Sequence, residues 1–155
     1  MKLSREEVLG GVLELLSETF QQTHGHYLDK NTDLLHSLAD LNAQEASTAI
    51  PGGSSIIAHV YHLLFYLEAI QGFMDKSRTE KVDWPATWQV QQLDEAGWQQ
   101  LKERLQEGYQ QTASFIKNLP LNDVDEFSGA LDLVTHSSYH LGAIRQILLF
   151  SKSQS

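Results

Sequence analysis

His136 and His140 stand four residues apart inside an apolar stretch that runs from Leu131 to Phe150. On a helix that spacing puts two imidazoles on one face, one turn apart. Rings so placed converge on one metal ion if an opposing element supplies a third ligand. From the spacing alone, a metal site and a hydrogen-bonded polar pair are about equally good accounts of the two residues. The sequence around them narrows the chemistry. Residue 137 is Ser, so the pair has no built-in general base of the His-Glu-x-x-His kind, and a zincin protease is disfavoured. There is no Gly-rich phosphate loop and no Gly-x-Ser-x-Gly elbow. Asp132, one turn before His136, has the spacing of an orienting partner, although a solvated Asp on the helix flank is the plainer reading.

The chain holds seven histidines, so a third ligand has several candidates. His24, His26 and His36 fall near the end of one expected helix or in a short amphipathic segment, where a solvated or capping role suffices. His59 and His62 fall in a longer helix whose apolar residues are Ile56, Ile57, Val60, Leu63, Leu64, Leu67 and Ile70. At 100° per residue these make one broad stripe. His59 lies roughly 85° from the centre of that stripe and His62 roughly 145° away. Helical phase therefore predicts that His59 looks into a bundle and His62 looks out.

The elements that must position these residues are legible as helices. Ser4 and Glu7 form a capping box ahead of Val8, Leu9, Val12, Leu13, Leu16 and Phe20, with an end expected near Thr23 to Gly25. Thr32 is the expected cap of a short segment carrying Leu34, Leu35, Leu38 and Leu41. Pro51-Gly52-Gly53 is a break, and Ser54 or Ser55 then caps a helix to about Met74. Asp94 caps a third long helix through Trp98, Leu101, Leu105, Tyr109, Thr112 and Ile116, which must stop before Pro120. A polar turn over Leu121 to Phe127 leads to Ser128, the expected cap of the last helix, which runs to about Ser151. Between Asp75 and Leu93 lies a long connection holding Trp84, Pro85 and Trp88. It is longer than an antiparallel hairpin needs and suits a crossover to the other end of a bundle.

Length and composition bound the rest. The 155 residues suit one domain, 1–155, with a substantial core. Lys and Arg number 11 against 20 Asp and Glu, a net charge of −9, which argues against nucleic acid and anionic membranes as partners. No apolar run reaches the ~18 residues expected of a membrane span. The N-terminus lacks the apolar core of a signal peptide. With no cysteine, disulfides and thiolate metal sites are excluded, and a cytoplasmic location is expected.

Three stretches together give the chain a resemblance to the DinB/YfiT-like superfamily of metal-dependent hydrolases. They are Ile57-Ala58-His59-Val60, the Trp84-to-Trp88 linker, and Tyr139-His140-Leu141-Gly142-Ala143-Ile144-Arg145-Gln146 following His136. The resemblance spans nearly the whole chain, and the last stretch is its most specific part. It implies an all-α, DinB-like four-helix bundle with a long crossover between helices 2 and 3, counting the long helices only. It implies a divalent metal, zinc or nickel, held by His59, His136 and His140, and often a homodimer; in this chain Trp84 and Trp88, with Phe65 on an outer helix face, suit either a homodimer contact or packing of the tryptophans within the chain. Relatives include hydrolases and thiol-dependent enzymes, namely bacillithiol S-transferases and mycothiol-dependent maleylpyruvate isomerases. The implied partner is a small molecule, with a low-molecular-weight thiol as one option. Three neutral imidazoles leave the ion its full charge, and an open fourth position would acidify a water or a thiol. A non-catalytic metal-containing binding module is the alternative. On phase, His59→Ala should lower metal occupancy and His62→Ala should leave it near wild type, read as metal per chain after dialysis.

Overall fold

A computed structural model describes residues 2–153. Four long helices carry it: α1 (Arg5–Phe20), α4 (Ile56–Met74), α5 (Glu95–Asn118) and α6 (Val124–Ser153), with the short α2 (Leu34–Leu38) and α3 (Ala43–Ser47) between the first two. The described residues hold no strand beyond an isolated bridge between Ala49 and Ser55, which closes the Pro51-Gly52-Gly53 turn. The fold class is the expected all-α bundle.

The helix starts follow capping chemistry. The Ser4–Glu7 box forms as expected, Ser55 accepts from the Ala58 amide, and Asp94 accepts from Gly97. Two caps differ from expectation. Asp33, not Thr32, caps α2 by accepting from the His36 amide at 3.1 Å. Asp123, not Ser128, opens α6, with Oδ1 accepting from the amides of Asp125 and Glu126 at 3.0 and 2.9 Å. An aspartate is as good a cap as serine, and starting early lets Phe127 and Leu131 pack on the core.

The first helix also stops early, at Phe20. The chain beyond it folds back around Glu18, whose side chain is inaccessible to solvent. One carboxylate oxygen accepts from the Tyr27 and Leu28 amides at 3.0 and 2.8 Å, and the other from His26 at 3.0 Å. Burial alone would raise the Glu18 pKa, but the three amides and the nearby His26 outweigh it and hold the carboxyl down at about 2.

The long helices pack in the cyclic order α1, α5, α4, α6. Ser55, at the start of α4, bonds through its amide and hydroxyl to Gln91, just ahead of α5. The two helices therefore start side by side and run parallel, and residues 75–93 form the expected crossover. Arg5, at the start of α1, donates to the carbonyls of Lys117 and Leu119 at the end of α5, so α1 runs the other way. Gly129, early in α6, abuts Met74 at the end of α4, making that pair antiparallel. At Gly108 a Cβ would come within 2.6 Å of Leu64 Cδ1, so α4 and α5 approach closely there. The core is filled by Leu16, Phe20, Ile57, Leu63, Leu67, Trp98, Leu105, Leu133 and Ile144.

By length and composition α4 is apolar enough to cross a membrane, although its apolar residues are interrupted by His59, His62 and Glu68. Its residues from Ile56 to Leu64, except Tyr61, are buried in the bundle against α3, α5, α6 and the crossover.

Glu18→Ala should lower unfolding stability by about 2–3 kcal/mol, since three loop amides lose a charged acceptor. Urea denaturation at pH 7 measures it. The wild-type contribution is full above the unfolded pKa of 4.5 and fades as pH falls toward about 2.

Candidate metal centre

Four imidazoles meet where α4, α6 and the crossover come together. His140 is fully buried, His59 and His62 are 8% and 6% exposed, and His136 is half-buried at the rim. His140 joins its neighbours through both ring nitrogens. Its Nε2 lies 3.1 Å from His136 Nε2, and its Nδ1 lies 3.0 Å from His59 Nδ1. The His62 ring sits 5.1 Å from that of His140 and 5.5 Å from that of His136, centre to centre. One nitrogen from each of His62, His136 and His140 falls within 4.8 Å of the other two.

The three residues expected from the sequence are thus brought together, and His62 joins them. The outward orientation expected for His62 is not found. Phase misplaced it because α4 is covered on two sides. The core covers the apolar stripe, and the crossover covers the opposite flank. There a short 3-10 turn, Pro85–Trp88, lays Trp88 flat on His62 at 4.2 Å and sets Thr87 Oγ1 2.6 Å from His62 Nδ1. The signal in the sequence was the pair of tryptophans in the linker, which needed a surface to cover.

Aromatic rings hold the other histidines. Tyr66, one turn beyond His62, stacks on His136 with ring centres 3.5 Å apart. The Tyr66 hydroxyl donates to Asp132. Asp132 therefore reaches His136 through Tyr66 and not by a direct bond. Trp88 meets His59 edge-on at 5.1 Å, and Trp84 lies 5.6 Å from Tyr66 and 6.1 Å from Phe65. Both linker tryptophans pack within the chain. Tyr139, beside His140, is 67% exposed at the rim.

Burial sets the charge state. It lowers the pKa of His140 to about 2 and those of His59 and His136 to about 4, and neighbouring imidazoles add to each shift. His62 is lowered for the same reason. At neutral pH the cluster is uncharged, the form in which imidazole binds metals.

The donor set fits a divalent ion. Two nitrogens bound to a tetrahedral zinc at 2.0–2.1 Å lie about 3.3–3.4 Å apart, near the His136–His140 separation. Imidazole also suits nickel, copper and iron, so the ligands do not select one metal.

A family model described as the DinB superfamily matches residues 27–144, and the chain belongs to that superfamily. The match includes the crossover and all four clustered histidines. No curated protein and no solved structure matches the chain.

The cluster makes the metal-free protein acid-sensitive. Folded pKa values lie below the unfolded value of 6.5, so between about pH 6.5 and 4 the unfolded chain binds more protons. Stability is full above that window and falls with pH inside it. Urea midpoints of chelator-treated protein at pH 7, 5.5 and 4.5 should decrease in that order. Replacing His140 with Gln should flatten the trend.

Proposed function

We propose that this chain is a metal-dependent enzyme of its superfamily, acting on a small molecule in the cytoplasm with a zinc or nickel ion held by histidines. The observation that carries the reading is the convergence of three uncharged imidazole donors from α4 and α6. A divalent ion there supplies a Lewis acid that favours the deprotonated form of a thiol or a water. Three-histidine sites are usually catalytic, since structural zinc sites are normally closed by a fourth protein ligand.

Thiol-dependent S-transfer is favoured over hydrolysis. Hydrolytic sites commonly keep a carboxylate free to take a proton from water. Here Asp132, the carboxylate beside the cluster, accepts from the Tyr66 hydroxyl through Oδ2, and it is Tyr66, not Asp132, that lies against His136. A thiol, with a pKa near 8.5, needs less help to ionise than water does. Trp84, Tyr66 and Tyr139 offer apolar faces to the organic part of a substrate. The non-catalytic reading is supported by one feature: protons alone can satisfy the His59–His140–His136 chain.

The geometry supports His62 as the third ligand, with His59 behind His140. The sequence reading gave that place to His59, and the 3.0 Å contact to His140 supports it as the second option. Metal per chain after dialysis separates them. His62→Ala, His136→Ala and His140→Ala should each empty the site. His59→Ala should keep its metal with affinity weakened about 10–100-fold, as for the loss of a ligand's supporting contact. An empty His59→Ala beside a loaded His62→Ala would reverse the assignment.

Chelation should abolish conjugation of low-molecular-weight thiols to electrophiles, and one added divalent metal should restore it. Turnover unaffected by complete metal removal would overturn the mechanism. A loaded protein that turns over neither thiol nor hydrolase substrates would favour the binding module.

A further inference from the structure

Thr87 is 5% exposed and lies in the 3-10 turn that covers the histidine cluster. Its Oγ1 makes two short contacts. It donates to the Trp84 carbonyl at 2.6 Å, and it lies 2.6 Å from His62 Nδ1. A hydroxyl has one proton, and a carbonyl oxygen only accepts. The Thr87 proton is therefore committed to Trp84. Toward His62 the oxygen presents a lone pair, so the proton in that contact sits on His62 Nδ1. A neutral imidazole carries one N–H, which leaves the lone pair of His62 on Nε2.

We infer that Thr87 is a positioning residue of the metal centre, fixing His62 in the Nδ1–H tautomer so that Nε2 is the donor it offers. The inference rests on the reading of the cluster as a metal site. Thr87 sets the proton, and Trp88, stacked on the ring, sets its plane. The Thr87 amide also donates to the Trp84 carbonyl, at 3.1 Å, so the same carbonyl that shapes the turn orients the hydroxyl. The crossover is thereby part of the site as well as its cover: a change in the turn at Trp84 to Thr87 releases the tautomer of a ligand on α4.

Thr87→Val keeps the shape of the side chain and removes the hydroxyl, while Thr87→Ser keeps the hydroxyl. Two readouts apply to the full-length protein. Nitrogen-15 NMR of metal-free wild type at pH 7.5 should show His62 protonated at Nδ1, and Thr87→Val should show a mixture of tautomers. Zinc affinity by chelator competition should weaken about 10–100-fold in Thr87→Val and return to the wild-type value in Thr87→Ser. Wild-type His62 protonated at Nε2, or zinc affinity unchanged in a folded Thr87→Val, would overturn the inference. If wild type binds neither zinc nor nickel, the metal reading fails by itself, and the wild-type tautomer still decides the role of Thr87. If Thr87→Val fails to fold by circular dichroism, the wild-type tautomer and the affinity of Thr87→Cys, whose thiol is a weaker acceptor, decide it.

Discussion

Imidazoles buried in an apolar bundle must be uncharged and must each find a partner. An unpaired buried polar group costs about 1–3 kcal/mol, comparable with a sizeable share of a domain's net stability. Among the described residues no buried side-chain nitrogen or oxygen lacks a partner. His59, His140 and His136 meet this requirement as a chain of ring contacts, and His62 meets it through Thr87. Three of these histidines need only α4 and α6 in contact. The fourth needs a residue from outside the four long helices, so the crossover has to lie across α4.

That need is tied to topology. Because α4 and α5 start at the same end, the connection between them must travel back along the bundle. A chain segment crossing that distance passes over the flank of α4 that the helices leave uncovered. Trp84, Thr87 and Trp88 occupy it, burying His62 and stacking against the cluster. One stretch of chain thus closes the bundle, covers His62 and gives that imidazole its hydrogen bond. Uncharged donors would leave a bound ion its full charge to act on a molecule at an open position, which is the electrostatic basis of the proposed chemistry.

Much of this was legible in the sequence. The four long helices, most of their caps and the crossover follow from period, Ser and Asp positions and the placement of Pro85. The His136–His140 pair was legible as well, since a helical spacing depends only on the helix forming. His62 was not, because helical phase assumes that a helix has one buried side. That assumption fails for α4, whose opposite flank is covered by a segment with no periodicity of its own. Asp132 shows a related limit: its spacing allowed either an orienting role toward His136 or a solvated place on the helix flank, and its bond to the hydroxyl of Tyr66, on α4, could not be read from spacing within α6. Contacts within one element could be inferred from spacing, whereas contacts between a helix and an irregular segment required the fold.

The central claim is that histidines of α4 and α6 hold a divalent ion. Extended X-ray absorption fine structure at the metal edge of zinc- or nickel-loaded protein tests it most directly. The account predicts a first shell containing three imidazole nitrogens, with the multiple scattering of imidazole rings and bonds of about 2.0–2.1 Å for zinc. A first shell of oxygen atoms with no imidazole scattering would contradict it.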